Sequence, residues 1–166
     1  LGRNEANYVS LSPLSFMRRA AEVFPERLAI IHGEERRTWR ETFLRCRRLS
    51  SALTSRGIKK GDTVAVMAPN VPALFEAHFG VPASGAVLNA LNIRLDADVI
   101  AFILEHAEVR VLITDREFSA VISEALSKID NKPLVIDIDD PLAEFGDLIG
   151  DLTYEELLAE GESTAN

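Results

Sequence analysis

Three histidines, one cysteine, a group of aspartates behind an apolar run and two glycines at P-loop spacing are the residues here that could do chemistry. His32, His78 and His106 are scattered, with no carboxylate or cysteine at ligand spacing, so they do not read as a metal site. His32 falls at a hairpin turn. His78, between Ala77 and Phe79 in a helical stretch, reads as a satisfied interior histidine rather than a catalytic one. His106 stands at a helix end, where a cation favours the dipole. Cys46 lies on an apolar stripe with nothing beside it to lower its pKa, so it reads as a buried structural thiol. Gly80 and Gly85 are followed by Ala86-Val87 instead of a lysine and a hydroxyl. Such a loop places no charge on a phosphate, and the glycines read as backbone geometry.

Asp137, Asp139 and Asp140 close a strand-like run, as in phospho-receiver pockets. Such a pocket also needs acids after the first strand, where this chain has Ala68-Pro69-Asn70. Solvated loop acids are the better account. G-x-G-x-x-G, H-E-x-x-H, G-x-S-x-G and a glycosylation sequon are all absent from the sequence.

The elements that would position these residues follow from local patterns. Residues 1–11 read as an extended lead-in. Ser12-Pro13 opens a helix with Leu14, Met17, Ala21 and Phe24 on one face, stopped by Pro25. Residues 28–32 and a return run to Thr38 make a hairpin across Gly33-Glu34. Thr38-Trp39-Arg40-Glu41 is a capping box, after which Trp39, Phe43, Cys46, Leu49 and Leu53 mark a helix face ended by Gly57.

From residue 61 strands and helices alternate. The apolar runs 63–69, 86–91, 109–114 and 134–139 read as strands buried on both faces. Asn70 is placed to cap a helix that Gly80, Pro82 and Gly85 break. Asp96 caps a helix over 99–106, with Leu95 and Ile100 as a staple across the cap, and Asp115 caps the next helix. The fold class is therefore α/β: a parallel doubly wound sheet over 61–139, joined by right-handed crossovers, behind a helix–hairpin–helix lead-in. Residues 1–60 form that lead-in. Residues 140–166 read as an acidic loop, a short helix opened by the Thr153–Glu156 box, and a linker.

Composition excludes several classes. At 166 residues, 47% hydrophobic and 27% charged, the chain fits one globular domain, and no apolar run is long enough to span a membrane. A single cysteine cannot form an internal disulfide and fits a reducing, cytoplasmic setting, an organelle being the alternative. The net charge of −8 conceals a split: 13 basic against 6 acidic residues over 1–60, then 5 against 20. Arg40, Arg45, Arg47 and Arg48 surround a helix with no interleaved aromatic platform. They read as a helix face docking onto an acidic neighbour, and nucleic acid is not expected as a partner. Leu1 in place of Met suggests a piece of a longer chain.

Residue order adds a resemblance. GIKKGDTVAVMAPNVPA (57–73) resembles a signature of the adenylate-forming superfamily, which contains acyl-CoA synthetases, luciferases and peptide-synthetase adenylation domains. SPLSFMRRAAEVFPERLAIIHG (12–33), TWRE (38–41) and HFGVPASGAVLNALNIRL (78–95) with VIAFILEH (99–106) resemble its short- and medium-chain acyl-CoA ligase branch. VRVLIT (109–114) resembles the strand that closes this unit, and the likeness runs over about residues 8–160.

The resemblance implies part of an N-terminal domain whose parent enzyme activates a carboxylic acid with ATP and passes the acyl group from the adenylate to CoA. ATP, Mg²⁺ and CoA would be handled by segments beyond residue 166, and the parent would be able to pair as a homodimer. No catalytic, cofactor-binding or metal-binding residue carries over to this range. Asn70, Asn89 and Asn92, in the matched blocks, are candidates for indirect roles, although capping and turn formation explain them. The chain alone is expected to be inactive. The alternatives are a non-catalytic interaction module and a nucleotide-binding or receiver-like module.

Overall fold

The structure, a computed structural model, describes residues 2–8 and 12–163. The sequence readings for residues 1, 9–11 and 164–166 lie outside them. Within the lead-in, Asn4 and Asn7 close a turn through their side chains, where an extended run was expected. Helix α1 (Pro13–Val23) opens with Ser12 Oγ accepting from Leu14 N. Met17 and Ala21 are buried, but Phe24 is the C-cap. Its backbone leaves helical geometry there and turns the ring out under the Arg27 guanidinium.

Strands β1 (Leu28–His32) and β2 (Glu35–Thr38) pair antiparallel across Gly33-Glu34, with Gly33 at φ +54°. Both halves of the Thr38–Glu41 capping box form at the start of α2 (Trp39–Ser55). Gly57, at φ +84°, ends that helix, and Ile58 N donates back to Leu53 O.

The main sheet is parallel. Its strands are β3 (Thr63–Met67), β4 (Val87–Ala90), β5 (Val109–Asp115), β6 (Leu134–Ile138) and β7 (Leu152–Thr153), in the order β4-β3-β5-β6-β7. The connecting helices are α3 (Pro72–Ala83), α4 (Ala97–His106) and α5 (Ser119–Ser127), and α6 (Tyr154–Glu160) follows β7. On one face α2, α3 and α6 cover Val64, Val66, Ile113 and Ile136. On the other, α4 and α5 cover Ala65, Met67 and Leu112. Burial on both sides is why β3, β5 and β6 carry long apolar runs, whereas β4, expected to be buried, is an edge strand with Val87 and Ala90 exposed.

The structure departs from the local reading at four further points. Helix α3 passes through Gly80 and Pro82 and ends only at Ala83, with Ser84 as its C-cap. Pro82 lies in the last turn, and Gly80 is a packing contact rather than a break. A β-carbon at Gly80 would meet Leu49 Cβ at 2.9 Å and the Cys46 carbonyl at 3.0 Å, so at Gly80 α3 lies close against α2. Asn70 does not cap α3: Val71 holds the cap position without a side-chain bond, because Pro72 starts the helix one residue later. Asp115 caps a 3₁₀ turn (Arg116–Phe118) ahead of α5, donated to by Glu117 N. The acidic tail contains β7, whose two residues are too few to leave a pattern in sequence.

Candidate functional site

Ligands of open parallel sheets bind beyond the carboxyl ends of the strands, where the connections diverge. Here β3 leads through α3 to β4 on one side, while β5 leads through α5 to β6 on the other. The divergence lies between the ends of β3 and β5. Beside the β3 end runs an apolar groove of about 570 Å³ between β1 and α3, lined by Ile30, His32, Asn70, Leu74, Phe75 and His78. Phe75 packs between Trp39 and Phe79, at ring separations of 6.5 and 5.2 Å.

A second cleft, of about 260 Å³, shares His32, Val71 and Pro72 with the groove but has charged walls. One wall is the hairpin with Glu35 and Arg37, and another is β7–α6 with Thr153, Tyr154 and Glu155. Beneath lies Glu76 of α3, a carboxylate with no exposure. Its Oε1 accepts from Arg37 Nη1 at 2.5 Å and Arg45 Nε at 2.7 Å, and its Oε2 from the Tyr154 hydroxyl at 3.0 Å. Arg45 also holds Glu155 through both terminal nitrogens, at 2.9 and 2.5 Å, and Arg37 pairs with Glu35.

This network sets the chemistry of its members. The hydrogen bonds from Arg45 hold the Glu155 carboxyl below its ordinary value. Burial, with Glu76 beside it, pushes the Tyr154 phenol well up, so it stays a donor. Burial also raises the Cys46 thiol, which lies enclosed on the inner face of α2. Of the four arginines read as a docking face, Arg45 meets α6 at Glu155 and Arg40 pairs with Glu26, while Arg56, outside that reading, meets Glu160 of α6.

The aspartates correct the sequence reading. Of the three, only Asp139 is exposed, and it pairs with Arg116 at 2.9 Å. Asp140 is buried, 2.9 Å from His32 Nε2, and accepts from Leu142 N. Asp137 points into the sheet layer and takes a 2.6 Å bond from Gly150 N. Asp115 is fully buried. Among the described residues, Asp115 Oδ2 and Asp137 Oδ1 have no hydrogen-bond partner. These acids are enclosed because β6 is an interior strand, covered by β7 and the 139–151 loop.

His78 is exposed rather than interior, with Nδ1 2.8 Å from Leu74 O, because α3 buries the stripe through Glu76, Ala77 and Gly80 instead. His106 is exposed and stacks on Phe102. Asn92 builds a turn by accepting from Arg94 N, while Asn89 sits half-buried on the edge strand β4. Glu76 escaped the sequence reading. Its available signal was a lone acid amid the apolar run 72–81.

Burial raises both Asp115 and Asp137 above the ordinary carboxylate value. Protonation of such a group favours the folded state, so stability should rise as pH falls from 7 toward the ordinary value near ~4. Below it, Glu41, Glu155, Glu156 and Glu160, all held low by hydrogen bonds, lose their contribution and stability falls. Asp115→Asn with Asp137→Asn should flatten this rise in urea-unfolding series taken at descending pH. An unchanged slope would refute that assignment.

The donors at this edge do not fit the triphosphate and Mg²⁺ implied by the resemblance. Both cleft arginines are already paired with carboxylates, and among the described residues no three His, Cys, Asp or Glu side chains converge to hold a metal. No helix of the described residues is long and apolar enough to cross a membrane.

Comparison with known proteins places this architecture. A model of the AMP-binding enzyme family matches residues 17–163. The chain is 46% identical over 169 residues to the peroxisomal acetate/butyrate–CoA ligase AAE7 of Arabidopsis thaliana, covering 95% of this chain and 30% of that protein. It is 44% identical to the peroxisomal benzoate–CoA ligase of the same plant, covering 96% and 28%. In fold it is similar to the anthranilate CoA ligase AuaEII, solved with anthranoyl-AMP, at TM-score 0.82 and 20% identity over 92% of this chain and 29% of that one. A benzoate CoA ligase from Burkholderia xenovorans LB400 gives 0.76 at 23% identity over 90% and 28%. The chain thus spans about 30% of the length of these curated relatives.

Proposed function

Because the chain belongs to the AMP-binding enzyme family, we propose that it is the opening section of the large N-terminal domain of an AMP-forming acid–CoA ligase. The observation that carries this reading is the 46% identity, sustained over 95% of the chain, to an acetate/butyrate–CoA ligase. In the reaction, a carboxylate oxygen attacks the α-phosphorus of ATP, and pyrophosphate leaves. The thiol of CoA then displaces AMP from the acyl-adenylate to give the thioester. Charge must be offset where two anions meet, and that demand falls on Mg²⁺ and cationic groups. The arginines of the charged cleft, Arg37 and Arg45, are committed to Glu76 and Glu155. We therefore assign phosphate, metal and CoA handling to the remainder of the parent, and a scaffolding role to residues 1–166.

The substrate belongs to the carboxylic acids named for the relatives, from acetate and butyrate to benzoate and trans-cinnamate. The compartment is the cytoplasm on sequence grounds, with a peroxisome as the alternative that the relatives' names supply. A homodimer of the parent belongs to the same reading.

The test is ATP–pyrophosphate exchange with a panel of those four acids. The uninterrupted product of the reading frame should exchange in the presence of at least one acid and form its CoA thioester. The 166-residue chain should give none. Exchange by the short chain overturns the scaffolding role, and a full-length protein inert toward every acid in the panel overturns the ligase reading.

A further inference from the structure

The walls of the charged cleft come from opposite ends of the chain. The hairpin β1–β2 supplies His32, Glu35 and Arg37, and the strap β7–α6 supplies Thr153, Tyr154 and Glu155. Both converge on one acceptor. Arg37 reaches Glu76 from the hairpin, Tyr154 reaches it from the strap, and Arg45 of α2 touches both Glu76 and Glu155. We infer that Glu76 is a shared latch, through which the hairpin and the strap close onto the body of the fold as one unit.

The argument is one of compensation. A fully buried carboxylate is tolerated only while its donors stay in place. When the strap lifts, Glu76 loses the Tyr154 hydroxyl, Arg45 loses Glu155, and water reaches the carboxylate. The attraction that holds Arg37, and with it the hairpin, is then screened. The converse holds when the hairpin lifts and removes Arg37. A second joint acts in the same sense, since His32 at the end of β1 binds Asp140 in the loop that leads into the strap. Coupling of this kind is reciprocal by thermodynamic necessity.

Reciprocity supplies the test, which is independent of the ligase reading. Amide hydrogen exchange is followed by mass spectrometry on the full chain and on two conservative variants, one on each wall. Tyr154→Phe keeps the ring on the strap and removes only its donor. Arg37→Gln keeps a polar side chain on the hairpin and removes its charge. Tyr154→Phe should speed exchange across the hairpin, residues 28–38, and Arg37→Gln should speed exchange across the strap, residues 152–160. The expected change is roughly tenfold, a typical coupling between contacting groups. Amides of β3 and β5 should keep the protection of the unaltered chain. Faster exchange confined to the substituted wall overturns the latch, as do unchanged exchange and a uniform rise through β3 and β5. Glu76→Gln should loosen both walls together, and loosening of one alone would equally refute the idea.

Discussion

Replacing Glu76 by leucine should cost the chain about 3–5 kcal/mol of unfolding free energy, the range for removing one partner of a buried ion cluster. Leucine is close to glutamate in volume, so lost packing is a minor part of this. The cost comes from what remains: the side chains of Arg37 and Arg45, only 14% and 16% exposed, facing an apolar residue, and a Tyr154 hydroxyl without its acceptor. Adding Arg37→Met, Arg45→Met and Tyr154→Phe to Glu76→Leu should recover most of the loss, because an apolar cluster of similar size needs no compensation. Urea unfolding followed by circular dichroism reads both. A Glu76→Leu chain within 1 kcal/mol of the unaltered one would mean that water already screens the cluster.

Gly161→Ala is expected to cost about 2–3 kcal/mol, the upper part of the range for overpacking. Gly161 follows α6 at φ −88°, a conformation open to any residue, so strain in φ is not the cause. The cause is contact: a β-carbon there would lie 2.0 Å from the Arg48 carbonyl oxygen and 2.7 Å from its carbon, both backbone atoms of α2. Helix α6 would have to move off α2, disturbing the buried Leu157 and Leu158 and the pairs Arg56–Glu160 and Arg45–Glu155. Gly57→Ala is the control, since its φ is +84° and nothing lies within 4 Å of the added carbon. It should cost only the left-handed penalty of about 1–2 kcal/mol. Equal losses at the two positions would rule out the contact argument.

The sequence made local features legible and long-range ones obscure. The capping boxes at Thr38 and Thr153, the Gly33 turn, the Gly57 stop and the interior strands each declare themselves within a few residues, and they suffice for the α/β class. Order and spacing along 57–95 carried the family resemblance. Glu76 stayed hidden because its partners stand 31, 39 and 78 residues away, and each of them alone passes for a surface group. Asp137 and Asp140 were misread because enclosure depends on β7 and the preceding loop, which leave no periodicity. Helix α3 runs through Pro82 because packing of Gly80 on α2 outweighs a breaker placed in the final turn.

The clasp between α2 and α6 has a consequence for synthesis. Arg45 and Arg56 leave the ribosome more than a hundred residues ahead of Glu155 and Glu160, the acids that neutralise them. Chains are made from the amino end, and early segments begin to fold before later ones exist. Until more than a hundred further residues have been made, α2 therefore lacks the counter-charges that α6 supplies, while it stands beside polyanionic ribosomal RNA. The electrostatic balance between α2 and α6 arrives only with α6.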